Sequence, residues 1–351
     1  MTNDQLPKVS VVILNYNGKQ WLEKFLPSVI EHTTYPNAEL IIADNASTDD
    51  SVVFLRQHYP NIRIVHNLNN TGYAGGYNEA LKLIESDYYV LLNSDVEVTK
   101  NWVENTIQYI LKDPLMVACQ PKIRSYLERD KFEYAGAAGG FIDKYGYPFC
   151  RGRIFDVCET DYGQYENSGE IFWASGACLF IKADLFHKIG GLDIDFFAHM
   201  EEIDLCWRLK NLGYKIGYCS EATVYHVGGG TLSKLSPQKT YLNFKNNRSL
   251  LHKNLPDQEL NRITTVRNIL DTIAYIKSKL SGNGEEAKSI QRALKDYKAG
   301  IKSLDKKRIA LKELQTLSAI GEPNKKGIYN GSIVRDYFIF GKRFFSNLKF
   351  K

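Results

Sequence analysis

The chain has little that would hold it together outside a packed core. Its six cysteines (119, 150, 158, 178, 206 and 219) are scattered, with no CxxC pair. In 351 residues that excludes a disulfide-stapled scaffold and makes a zinc cluster unexpected. Separate reduced thiols fit a cytoplasmic compartment. No apolar run reaches the roughly 18–20 residues needed to cross a bilayer. The opening "MTNDQLPKVS" lacks a basic stretch followed by an apolar one, so no signal peptide is expected. Internal repeats and low-complexity blocks are missing too. The segment "GYAGG" is not GxGxxG, so a nicotinamide-binding fingerprint is not supported.

What is present is ordinary in bulk and uneven in charge. Apolar residues make up 44% and charged residues 24%, as in a soluble globular protein. The net charge of +5 hides an asymmetry: residues 262–351 hold 20 Lys and Arg against 8 Asp and Glu, while residues 1–261 hold 25 against 32. The basic end is either a solvated helical tail or a surface for an anionic partner, phospholipid or nucleic acid. It carries no RNA- or DNA-binding motif, so no nucleic-acid partner is expected.

Strand and helix patterns alternate at short intervals over the first 115 residues. "KVSVVIL" is a continuous apolar run, as for a strand buried on both faces, and "NYNG" breaks it. Trp21, Leu22, Phe25, Leu26 and Val29 then show helical spacing. "AELIIADNASTDDS", "IRIVHN" and "YYVLLNSDVEV" are further strands, and "NNTGYAGGYNEALKLIE" is a Gly-rich loop opening into a helix. The alternation predicts an α/β fold with a mostly parallel central sheet flanked by helices. Residues 120–170 show no clear period. "MEEIDLCWRLKNLGY" reads as a helix, and residues from 262 onward read as a helical extension. The expected division is 1–255, with halves 1–115 and 116–255, followed by 256–351.

In an open parallel sheet, ligands sit at the carboxyl ends of the strands. "NYNG", "ADNAS" and "LLNSD" fall there, and "NTGYAGGYN" precedes a helix start that favours an anion. Singly, each reads equally well as structure: Asp44 as a turn residue, Asp95 as a cap for the helix near Trp102. Together, at successive strand ends and in this order, they are much harder to explain as turns. Glu201, Glu202 and Asp204 crowd into four positions before an apolar helical pattern. The helix dipole would stabilise such acids, and one of them could equally act as a base.

The order of these motifs resembles glycosyltransferase family 2, the inverting sugar-nucleotide transferases of the GT-A fold. The resemblance covers roughly the first 235 residues, through "VSVVILNYNG", "IIADNASTDDS", "NNTGYAGGYNEAL", "YYVLLNSDVEV", "SGACLFIKADLFHKIGGLD", "FFAHMEEIDLCWRL" and "YHVGGGT". Within the family it is most similar to the bacterial rhamnosyltransferase-like branch. It implies a nucleotide-binding half and an acceptor half. Asn15 and Tyr16 would lie against the base, and Asp44 would accept from the N3–H of uracil or thymine. Gly72, Gly75 and Gly76 would let backbone approach the donor, with Asn78 a side-chain contact. Asn93-Ser94-Asp95 stands where the family has DxD, so Asp95 would hold Mn²⁺ or Mg²⁺, with His226 a further ligand. Glu202 would be the base, with Glu201 and Asp204 as competitors. Trp173, Ser175 and Gly176 would line the acceptor side, the alternative for Trp173 being core packing. Arg248 would reach a phosphate or sit on a helix surface.

The implied reaction is inverting, metal-dependent transfer of one sugar from a UDP- or dTDP-sugar, dTDP-rhamnose among them. The acceptor would be a saccharide carried on a lipid, in cell-surface polysaccharide synthesis. The polymerising signature QxxRW is absent. A saccharide-binding scaffold with a decayed site is the alternative, although such a protein would be expected to lose Asp95 or the acid pair. A sugar-nucleotide pyrophosphorylase would need an Arg-containing Gly loop after the first strand, and "NYNGKQW" is not one. Residues 331–351 read as an amphipathic basic helix, with Ile333, Tyr337, Phe340, Phe344 and Leu348 on one side and Arg335, Lys342 and Lys349 opposite. Such a helix would either rest at the inner face of the cell membrane or dock on the catalytic domain or a partner subunit.

Overall fold

The computed structural model describes residues 6–228, 236–318 and 320–350. Strands and helices alternate first: β1 (Val9–Asn15), α1 (Lys19–His32), β2 (Ala38–Asp44), α2 (Ser51–His58), β3 (Arg63–His66), α3 (Gly72–Leu81), β4 (Tyr88–Asn93), β5 (Val96–Val98) and α4 (Trp102–Leu111). Then come β6 (Met116–Ser125), the short strands β7 (Gly140–Asp143), β8 (Pro148–Cys150), β9 (Arg153–Ile154), β10 (Val157–Cys158) and β11 (Gly169–Ile171), and β12 (Cys178–Lys182) with α5 (Ala183–Lys188). The chain continues through α6 (Glu201–Asn211), β13 (Lys215–His226), α7 (Pro237–Asn254), α8 (Asp257–Leu280), α9 (Gly284–Thr316), β14 (Ile328–Tyr329) and α10 (Ile333–Phe338).

The main sheet has nine strands in the order β11-β13-β6-β12-β4-β1-β2-β3, with β5 on β13. β3, β2, β1 and β4 are parallel, as the alternation predicts. β12 reverses direction between β4 and β6, so the acceptor half is mixed. Both faces are covered. Val9, Val11 and Ile13 pack with Leu22, Leu26 and Val29 of α1 and with Trp102, Ile107 and Ile110 of α4. Val12 and Leu91 point the other way, toward Ala74 and Tyr77 of α3. A continuous apolar run is what two buried faces require.

Residues 120–170 lacked a period because their strands are only two to four residues long after β6. They form a second sheet, β10-β9-β8-β7-β14, whose edge strand comes from the far end of the chain. α9 folds back along α7, across the expected boundary at 255. The long amphipathic helix expected over 331–351 is not formed. Among the described residues, Ile333–Phe338 is the α-helical part, followed by a single 3-10 turn over Phe345–Asn347. Gly341 takes a left-handed φ of +64°, which ends any continuation. Beyond it the ring of Phe345 packs 5.0 Å from Phe141, and that of Phe350 packs 5.2 Å from Tyr329. Phe340 and Phe344, expected on the apolar side with Ile333, Tyr337 and Leu348, are 59% and 47% exposed, whereas those three are buried. Gly229, Gly230 and Thr231 of "YHVGGGT" lie outside the described residues.

Candidate active site

Strand register brings the first candidates into one row. Asn15 sits opposite Asp44 at the carboxyl ends of β1 and β2, and Leu14 opposite Asn93 at the end of β4. β12 starts at the same rim, where the Asn93 N–H donates to the Ala177 carbonyl at 3.0 Å. Asn15 is fully buried and donates to Ser47 Oγ at 3.0 Å and, loosely, to Asp44 Oδ1 at 3.4 Å. Asp44 accepts its other bond, from the Ser47 N–H, at 3.3 Å. With two long bonds, its carboxylate keeps acceptor capacity for a ligand. Tyr16 beside it is 48% exposed, free to lie against a base.

A second group forms where β13 ends beside β5. His226 Nε2 lies 3.2 Å from Asp95 Oδ1 and 3.3 Å from Asn93 Nδ2. Its Nδ1 lies 3.4 Å from Glu133 Oε2. All three charged residues are buried. Burial alone would lower the His226 pKa, but Glu133 and Asp95 outweigh it and push it up to about 10. Burial likewise opposes the Asp95 charge, yet His226 holds its pKa below the ordinary value. Glu133 had no signal in the sequence, since it falls in the stretch without period.

The acid pair opens α6. Three consecutive or near-consecutive non-glycine residues ahead of it, Phe197, His199 and Met200, hold left-handed φ values of 60°, 67° and 75°. Such backbone persists only where surroundings impose it. Asn246 of α7 faces the carbonyls of Phe196, Ala198 and His199, each at 2.9 Å. Glu201 and Glu202 each keep one buried carboxylate oxygen, Oε2, without a partner among the described residues. Burial raises Glu202 to about 7; burial, then the Glu202 charge, raises Glu201 well above its ordinary value. His199 is held neutral, its pKa lowered to about 4 by burial and the Lys239 charge, and its Nε2 is also unpartnered. Tyr73 ties this helix start to the sheet rim. Its hydroxyl donates to the Gly176 carbonyl at 2.7 Å, and its pKa is raised by burial, by Tyr77, and by Glu201 and Glu202.

Other expected residues turn inward. Trp173 is 3% exposed, donates to the Phe141 carbonyl at 3.0 Å, and lies flat where a Cβ on Gly140 would be. It is core, and no ring face remains for a sugar. Ser175 is spent on the Ala135 carbonyl and the Gln120 amide, leaving Gly176 as the member of this trio at the rim. Asn78 clamps Leu192, donating to its carbonyl at 2.7 Å and accepting from its N–H at 2.9 Å, so it is not free for a donor. Gly75 and Gly76 lie inside α3, where their missing Cβ atoms make room for Thr71 and Asn45 rather than for a phosphate. Gly72, at φ +73°, sits under the Phe197 ring. Asp204 is wholly buried and bonded to Arg208 at 2.8 Å, Lys253 at 2.9 Å and Asn254 at 2.8 Å. It fastens α6 to α7. Arg248 is buried between Asp271 and Tyr297, away from the rim.

Residues 10–190 match the sequence model of a family described as Glycosyl transferase family 2. The match covers β1 through α5 and ends before the acid pair and His226. An N-acetylglucosaminyl-diphospho-decaprenol L-rhamnosyltransferase of Mycobacterium tuberculosis is 27% identical over 241 residues, 64% of this chain and 76% of that protein. A low-salt glycan biosynthesis hexosyltransferase of Haloferax volcanii is 23% identical over 273 residues, 74% of this chain and 80% of that one. Among solved structures, a mannosyltransferase from Pyrobaculum calidifontis in complex with GDP-Man and Mn²⁺ is similar with a TM-score of 0.52 at 15% identity, covering 91% of this chain and 85% of that one. That likeness bears on the fold.

Proposed function

Because this chain belongs to glycosyl transferase family 2, we propose that it transfers one sugar, with inversion, from a UDP- or dTDP-sugar to a saccharide hydroxyl. The acceptor is a lipid-linked saccharide, and dTDP-rhamnose is the leading donor, as the named activity of the mycobacterial relative suggests. The observation that carries the reading is the acid pair: two buried carboxylates with unpartnered oxygens, at the sheet rim where nucleotides bind. Glu202 is the more exposed of the two, so burial opposes its charge less and it is assigned as the base. It takes the proton of the acceptor hydroxyl. The hydroxyl oxygen forms the new bond to the anomeric carbon, and the bond to the nucleoside diphosphate breaks with its electron pair. Glu201 stays protonated and lends no competing charge. Asp44 accepts from the N3–H of uracil or thymine, which cytosine lacks, and Tyr16 covers the base.

Asp95 and His226 would hold a divalent cation once His226 releases the proton that Glu133 and Asp95 favour. They bring one carboxylate oxygen and one imidazole nitrogen to 3.2 Å, with the imidazole backed by Glu133. Among the described residues no group of three or more metal-ligating side chains forms a complete cage. Mn²⁺ or Mg²⁺ would therefore draw its remaining ligands from phosphate and water. Bound there, it would stabilise charge on the leaving diphosphate.

A thermal-shift series of UDP, dTDP, GDP, ADP and CDP, each with and without Mn²⁺ or Mg²⁺, tests this. Stabilisation by UDP or dTDP that needs the metal and disappears in Asp95→Ala is expected. No shift with any diphosphate would overturn it.

A further inference from the structure

Eight of the large exposed apolar side chains gather on one flank. Along α8, Ile269, Ile273, Ile276 and Leu280 recur every three or four residues and are 48–84% exposed. The opposite side of that helix buries Ile263, Arg267, Asp271 and Ser278. Beside it the chain end adds Phe338, Ile339, Phe340 and Phe344, 47–72% exposed. Lys277 of α8 lies 4.8 Å over the Phe338 ring and joins the two rows. Helix α8 is polar or charged at only some of its outward positions, so this is a stripe and not scattered residues.

The charge around the stripe is mainly positive, with Glu286, which accepts from Ser278, and the exposed Asp156 beside Phe155 near its edges. Lys277, Lys279, Arg335, Lys342 and Arg343 border it, and Lys277 and Lys279 have no ion pair with any described residue. Between residues 260 and 284 the sole acid is Asp271, and between 331 and 351 it is Asp336. Both are buried, at 0% and 1% exposure. A second copy docked face to face would bring these cations against their own kind. An anionic lipid surface meets both demands: it takes apolar side chains at the headgroup boundary and neutralises the cations.

We propose that α8 and the segment Phe338–Phe344 form one face that lies on an anionic lipid bilayer. No helix among the described residues is long and apolar enough to cross a membrane, so the contact is peripheral. A chain of contacts links the face to the candidate active site. The Phe338 ring is 5.0 Å from Phe155, in the turn after β9. Arg153 of β9 donates to the Tyr134 carbonyl at 2.9 Å, next to Glu133 and its partner His226. Presenting a lipid-borne acceptor to Glu202 is a purpose that rests on the proposed reaction; the lipid contact itself does not.

The test is co-sedimentation of the full chain with vesicles of phosphatidylcholine, alone or mixed with phosphatidylglycerol. Binding to the mixed vesicles is expected, weakened by salt, with little to phosphatidylcholine alone. Ile273→Glu with Ile276→Glu should reduce it more than tenfold, as should Phe338→Glu with Phe340→Glu. Lys277→Gln with Lys279→Gln should reduce it about fivefold per residue. These positions are exposed, and an unchanged melting temperature and diphosphate shift would show that each variant is folded. Folded protein that ignores phosphatidylglycerol vesicles at low salt would overturn the proposal. So would an oligomer in light scattering that the same substitutions dissociate, because the face would then belong to a second copy. Retained vesicle binding without any diphosphate shift would sink the reaction and leave the lipid contact standing.

Discussion

Within one turn of α6, two sets of carboxylates meet opposite fates. Glu201 and Glu202 are desolvated and each keeps an oxygen without a partner, so burial raises both. Asp204 is more deeply buried still, yet Lys253 and Arg208 outweigh the burial and hold its pKa below the ordinary value. Asp193, just upstream, has the same environment, with Lys253 and Lys307 each at 2.5 Å. Depth of burial therefore does not separate the reactive acids from the structural ones. Partnership does. A paired carboxylate in the interior is a fastener, and an unpaired one is free energy held in reserve for a ligand.

The strongest way to break that contrast is to remove each acid in turn. Glu202→Gln should lower kcat by about 10²–10⁴, the usual contribution of a general base. Glu201→Gln should stay within about tenfold of wild type, because a group that is already neutral loses no charge. The wild-type kcat/KM should fall as pH drops through about 7, where Glu202 gains its proton. Equal losses in both variants, or a rate indifferent to pH across that range, would show that the assignment of the base is wrong. Asp204→Ala should act on stability instead. It leaves Arg208 buried without its carboxylate and Lys253 with Asp193 alone, which costs about 3–5 kcal/mol by urea unfolding. A cost under about 1 kcal/mol would mean the network is not what fixes α6.

The comparison also shows what could be read in advance. Apolar runs and polar strand ends were legible over β1 to β4, because a strand buried on two faces has an unmistakable composition and register follows from it. Asn15, Asp44, Asn93 and Asp95 accordingly lie where they were expected. The acid cluster was visible too, but its division into base and fastener was not, since the partners of Asp204 come from α7, some 50 residues later in the chain. Trp173 and Asn78 misled for the same reason: an indole suited to sugar and an amide suited to phosphate are equally suited to Gly140 and Leu192, and only tertiary contacts decide. Glu133 left no trace, because strands of two to four residues carry too few positions for a period to emerge. The tail was read correctly as amphipathic in composition and wrongly as one helix, since a single Gly341 can end it.

The smallest effect is the most direct measure of the reserve held in the acid pair. A carboxyl whose folded pKa is raised stabilises the fold fully below its unfolded pKa, about 4.3. That contribution is lost as pH rises through the folded value of about 7. Above that point the native state must bury a charge that the unfolded chain leaves in water. Glu202→Gln removes the charge and keeps the shape. Its melting temperature should match wild type at acid pH and exceed it by about 2–5 °C on the alkaline side. A protein that gains stability by losing its base is one in which the base was kept for chemistry. The same substitution at Asp204 should lower the melting temperature at both pH values, because there the charge is what the neighbouring lysine and arginine require.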